Sequence, residues 1–212
     1  MRVFLPLVLV LCAWVATDAI VPGDEVLDSS RISVATDTLA LVFPNDGAPV
    51  VGGLVVLETE RQGDAFVRIE RMLGAELQTV HTDSFVVDAR TLAPIAQRET
   101  GEGVEDDSEQ RFDGSAFYAN QTDLVLAALP LVEGYAARVL FDDGERQVEV
   151  GALESVGVAD GANCPAYPVR VSGGYGTGLY HVAADSRALV RFAPESGSFV
   201  IARLRACGDT PS

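Results

Sequence analysis

Lysine is absent from this chain of 212 residues: all 15 basic residues are arginine, against 31 acidic ones, for a formal net charge of −16. So lopsided a balance leaves no basic surface for nucleic acid or anionic lipid headgroups and favours solubility. Histidine is scarce as well, with only His81 and His181. His81 and Asp83, two apart on a strand, could offer two ligands to a metal, but two are too few for a closed zinc site and only His181 and Cys164 remain to add, so no metal or cofactor is expected. A G-x-S-x-G elbow is missing. The glycine cluster SGGYGTG at 172–178 lacks the G-K-[ST] ending of a phosphate loop and leads into a strand, where a phosphate loop would open a helix. No catalytic constellation emerges, and the chain is not expected to be an enzyme.

Long apolar runs are equally rare. The single one opens the chain: Arg2, then VFLPLVLVLCAWVA, then Thr17, Asp18 and Ala19. It is shorter than the ~20 residues of a membrane span and contains Pro6, so residues 1–19 read as a secretory signal peptide. Cys12 lies mid-run after Leu11, where a lipidation signal needs a small residue, and it is read as part of the removed segment. The mature chain has no transmembrane span and is expected in the periplasm or outside the cell. Its two cysteines, Cys164 and Cys207, are expected to meet in a disulfide, which persists in such a compartment, closing a loop worth roughly 4 kcal/mol. Two separate thiols, one buried and one in a frayed tail, are the alternative.

Strand patterns fill the remainder. Leader and first strand occupy residues 20–48, a curved antiparallel β domain 49–207, and a tail 208–212. Leu39, Leu41 and Phe43 alternate with Ala40 and Val42. At 50–60 Glu58 and Glu60 share one face and Leu57 and Thr59 the other; at 65–72 Val67 and Ile69 oppose Arg68 and Glu70. Residues 76–88 and 94–99 form a hairpin about Asp88, and short strands are expected at 110–113 and 116–120. One helix is expected at 122–129, capped by Thr122 or Asp123, with Leu124, Ala127, Ala128 and Leu131 at helical spacing and Pro130 as its stop. Further strands fall at 136–141, 147–156, 167–172, 178–183, 188–193 and 199–204. The fold class is mainly β: a long antiparallel meander curled into a half-open β-barrel with one short lid-like helix.

Three segments carry a resemblance: VVDARTLAPIAQRE, LVLAALPLVEGY at 124–135, and GLYHVAADSRALVRF with SFVIARL near the end. They resemble a family of exported bacterial domains of unknown function, over about 51–204. That family in turn resembles the LolA-like periplasmic lipoprotein carriers, whose curved half-open barrel and helical lid hold acyl chains. The resemblance implies lipid binding without catalysis. This chain departs from the carriers in its low aromatic content of 7% and in its single helix.

Candidate site residues follow from these patterns. Leu124, Leu126, Leu129, Leu131 and Tyr135 exceed what a two-turn helix needs to sit on a sheet, so this segment could cover a cavity and these are the candidate ligand-binding residues; simple packing of the helix against its own sheet is the alternative, and the one amphipathic helices favour. His81 and Asp83 share one strand face and read as a cross-strand polar pair. The acidic stretch 99–109 does not follow a calcium-loop pattern and reads as a solvated loop. Asn120-Gln121-Thr122 fits a glycosylation acceptor, but its place before the helix suggests capping. The expected function is an exported, non-catalytic binding module of the bacterial cell envelope for a hydrophobic or lipid-like ligand. The alternative is a structural or protein-interaction β module with a filled interior, serving an envelope protein.

Overall fold

A computed structural model describes residues 18–45, 48–101, 109–158, 161–205 and 207. Residues 1–17 of the expected signal peptide, with Cys12, fall outside the described residues, as do 102–108 of the acidic stretch and the tail 208–212. The strands are β1 (Thr36–Phe43), β2 (Val50–Gln62), β3 (Ala65–Leu73), β4 (Thr79–Asp88), β5 (Pro94–Gly101) and β6 (Glu109–Arg111). The helix α1 (Thr122–Ala128) separates them from β7 (Ala136–Phe141), β8 (Gly144–Val150), β9 (Glu154–Gly157) and β10 (Asn163–Ser172). Then come β11 (Gly178–Ala183), β12 (Leu189–Pro194) and β13 (Val200–Arg203).

All thirteen strands belong to one antiparallel sheet, in the order β6-β5-β4-β3-β2-β1-β13-β12-β11-β10-β8-β7, with β9 beside β10. The protein is therefore mainly β, as the strand patterns predict. Among the described residues β6 and β7 do not pair, so the sheet is open. The first and last strands are neighbours in its middle, Leu39 facing Arg203 and Leu41 facing Ile201. Strand registers place the β1–β2, β3–β4, β7–β8, β10–β11 and β12–β13 connections at one end of the sheet.

Several strand ends shift by a few residues, β10 beginning at Asn163 and not at 167, and two expected strands do not form as single elements. Residues 147–156 are not one strand: β8 ends at Val150 and β9 begins at Glu154. A Cβ on Gly151 would lie 2.9 Å from the Pro168 ring, and Pro168 has no N–H to continue the ladder, so pairing with β10 breaks there. Residues 116–120 form no strand: Phe117 makes an isolated bridge to Phe141, and Ala119–Gln121 is a 3₁₀ turn.

The β4–β5 turn shows why its sequence has the form D-x-x-T-L-x-P. Asp88 accepts hydrogen bonds from the backbone N–H of Arg90 (3.0 Å) and Thr91 (2.7 Å) and from the Thr91 hydroxyl (2.8 Å). Those bonds, led by the Thr91 N–H, hold its carboxyl below the usual range. Leu92 takes a left-handed backbone (φ 60°) and is fully buried, its side chain plugging the turn while Pro94 starts the return strand.

Both arms of the sheet turn one face onto a common core. Phe66, Phe85 and Val87 come from one arm, Val148, Val169 and Val182 from the other, and α1 lies between them. Thr122, Leu124, Val125, Leu126, Ala127 and Ala128 are all buried. A helix apolar on every side belongs inside a protein, and α1 fills part of the interior; it does not lie as a lid across an opening. No side chain caps its first turn. The expected caps serve elsewhere: the Thr122 hydroxyl donates to Ala119 O (2.8 Å), while Asp123 pairs with Arg68.

Two buried groups brace the helix. Gln121 donates through Nε2 to Leu92 O (2.9 Å), tying the helix start to the β4–β5 turn. Arg146 is fully buried, its guanidinium 3.9 Å from the centre of the Phe141 ring, donating to the Thr122 hydroxyl (2.6 Å) and pairing with Asp143 (2.8 Å). On the opposite face of the sheet Val156, Cys164, Ala166, Ala183 and Val190 form a smaller cluster. There Cys164 and Cys207 are joined by the disulfide, with their Cα atoms 5.2 Å apart. Among the described residues no helix is long and apolar enough to cross a membrane.

Candidate functional site

The interior that α1 does not fill is a cavity of about 710 Å³ at the end of the sheet carrying the β1–β2 and β10–β11 connections. Such a volume is within the usual 300–1,000 Å³ of small-molecule sites. Its floor is apolar. Leu41, Val55, Leu57 and Met72 come from β1 to β3, and Ile201 of β13, paired beside Leu41, and Phe192 of β12 continue the same face, with Phe199 just before β13. Phe43 and Tyr175, 41% and 67% exposed, stand where it meets solvent.

One wall is acidic. Strand alternation puts Phe66, Arg68, Glu70 and Met72 of β3 on the inner face, so the more polar side of that strand points inward. In the ladder Glu70 lies opposite Asp83 of β4, and Asp83 opposite Glu99 of β5. Residues directly opposite have Cβ atoms about 5 Å apart, so three carboxyl groups stand side by side on adjacent strands. All three line the cavity, with Asp123 at the start of α1 beside them.

Their partners differ. Asp83 accepts from Gln97 Nε2 (3.1 Å) and Asn120 Nδ2 (2.9 Å), two neutral donors. Glu99 lies 3.5 Å from His81 Nε2, an ion pair only when the imidazole is protonated. Asp123 pairs with Arg68, whose other amino group bonds the Thr59 hydroxyl. Glu70 makes no hydrogen bond and no ion pair among the described residues. Removal from bulk water, then the charge of Asp123, outweigh the pull of Arg68 and raise its carboxyl from 4.5 to about 7, with Asp83 adding to the rise. Tyr118, next to Asp83, has its phenol pushed up, first by burial and then by that carboxylate.

The sequence-predicted residues divide between cavity and core. His81 and Asp83 share a face, as β-alternation requires, and both line the cavity. They do not bond each other; each has its own partner. Asn120 does not cap α1, and its amide holds Asp83. Leu124, Leu126, Leu129 and Leu131 are packed in the core, and Tyr135 packs against it; none lines the large cavity. His181 is on the opposite face of the sheet, 2.8 Å from Glu154, its imidazole lowered chiefly by burial.

Glu70, Glu99 and Asp123 are cavity residues that the sequence pattern did not single out. Only Glu70 left a signal, and a faint one: a polar residue on β3 alternating with Val67 and Ile69. Only the register shows that the cavity residues converge. Among the described residues no group of three or more His, Cys, Asp or Glu is placed to hold a metal ion. Comparison of the chain with protein-family models, with curated proteins and with solved structures found no match.

Proposed function

We propose that the protein is an exported, non-catalytic binding module of the bacterial cell envelope, holding a hydrophobic or lipid-like molecule between the two arms of its sheet. The observation that carries this reading is the cavity of about 710 Å³, with Leu, Val and Phe on its floor and one end open. An interaction module has no use for unfilled apolar volume, since packing that space would stabilise it. On this reading the sheet is a half-open barrel, and the likeness to LolA-like carriers extends to the use of its inner face. The binding residues are then Leu41, Val55, Leu57, Phe192, Phe199 and Ile201, with the leucines of α1 forming the packed bed beneath them.

The test has two arms. Purified protein is extracted into organic solvent for lipid mass spectrometry, and the stripped protein is titrated with the neutral fluorophore N-phenyl-1-naphthylamine. A co-purifying lipid, or saturable one-to-one uptake of the probe, is expected. Protein that is empty and takes up no probe refutes the proposal.

A further inference from the structure

The apolar floor states that a ligand has a greasy part; the wall beside it states what the other part is. Glu70, Asp83 and Glu99 are aligned across β3, β4 and β5, and directly opposed like charges are destabilising unless something compensates them. The chain supplies little compensation. Arg68, the arginine whose charge acts on Glu70, is committed to Asp123 and Thr59. Among the described residues Asp83 has only amide donors, and His81 faces Glu99. Glu70 is left inside the cavity wall with no hydrogen-bonding partner among the described residues, next to the apolar Leu57 and Met72. A carboxylate facing an apolar cavity with no cation of its own is the complement of a ligand that brings one.

We propose that the cavity takes a cationic amphiphile, an alkyl or acyl chain ending in a protonated amine or quaternary ammonium group, with the chain on the Leu41–Phe199 floor and the cation against Glu70. This deepens the reading of the cavity as a hydrophobic binding site and rests on it. The order of the wall gives a geometry. Glu70 meets the cation at the edge of the apolar floor, and Asp83 and Glu99 extend the negative wall across the sheet from it. An anionic headgroup in that position faces carboxylates from two further strands and from α1.

The experiment uses the mature, oxidised protein at pH 8.5 in 150 mM salt, which screens the general attraction of a chain with net charge −16 for any cation. The ionisable groups around Glu70 are Asp83 and Glu99 across the sheet, Asp123 on α1 and Arg68 on its own strand. Bound N-phenyl-1-naphthylamine is displaced by dodecylammonium and, separately, by dodecanoate, each below its micelle-forming concentration. Dodecylammonium is expected to displace at a concentration at least about ten-fold lower, the size of one charge-assisted contact.

Glu70→Gln, which removes the charge and keeps the shape, is expected to cut that ratio several-fold. Glu99→Gln, further along the wall, should cut it less. Glu133→Gln, exposed beyond the far end of α1, should leave it unchanged. A probe displaced equally well by both amphiphiles, or better by dodecanoate, overturns the inference while leaving the hydrophobic site standing. So does a ratio that survives both Glu70→Gln and Glu99→Gln. If the neutral fluorophore and both amphiphiles fail to bind, the cavity reading falls and this inference falls with it.

Discussion

Substituting Glu70 by glutamine should make the protein more stable, and only at high pH. The carboxyl is raised from 4.5 to about 7 by the fold, so the folded chain holds its proton more tightly than the unfolded chain does. Below pH 4.5 both states are protonated and the group costs nothing. As pH rises through the interval the unfolded chain ionises first, and stability falls. Above pH 7 the full difference is in force, about 3 kcal/mol by linkage. Solvent reaching the carboxylate through the cavity screens part of it, which leaves about 2 kcal/mol as the expected net cost.

Glutamine in its place carries no charge and disrupts no hydrogen bond. Urea unfolding followed by far-UV circular dichroism is the suitable assay, because the single tryptophan, Trp14, lies in the expected signal peptide. Glu70→Gln should gain about 2 kcal/mol at pH 8.5 and less than about 1 kcal/mol at pH 5, with the m-value unchanged. An equal gain at both pH values, or a loss at pH 8.5, would show that Glu70 is solvated or bonded, and the account of the acidic wall would fail.

Other predictions concern the parts that hold the cavity in shape. Arg146→Ala should cost about 3–5 kcal/mol, since it strands Asp143, Thr122 and the face of Phe141, and Arg146→Lys should recover little because an ammonium lacks the planar fork; thermal melting of both variants checks this. Leu126→Ala, on the buried side of α1, should lose about 2–5 kcal/mol in urea unfolding, whereas an exposed lid would lose almost nothing. In a chain that begins at Ile20, unfolded without reductant, maleimide labelling should find no free thiol, and reduction should lower stability by up to roughly 4 kcal/mol. A labelled cysteine in the non-reduced sample would refute the Cys164–Cys207 bond.

Much of the fold was legible because strands announce themselves locally. β11 and α1 fall almost where alternation, glycine and proline place them, and the Asp88 turn follows from side chains that bond their own backbone. Interruptions were not legible. The gap between β8 and β9 depends on Pro168, a residue of another strand, and no property of 147–156 encodes it. The helix was ambiguous for a different reason. Its Leu and Ala spacing fits one buried stripe, but Val125 and Leu126 on its other sides are equally buried, and only tertiary packing decides between lid and core. The cavity was the least legible part, because Glu70, Asp83 and Glu99 become neighbours through two separate registers.

The pairing of β1 with β13 has a consequence in time. Strands β1 to β6 form a run of neighbouring hairpins, and each can zip as soon as its turn exists. The last seam joins Leu39 to Arg203, residues from opposite ends of the chain, so a large closure entropy falls on one late step. Until then β1 and β13 are both bare edges, open to pairing with another molecule. Cys207 follows shortly after β13, so its bond to Cys164 ties that late strand to β10. Oxidation thus acts as a latch on assembly: a chain kept reduced should finish the same sheet more slowly and aggregate more on the way.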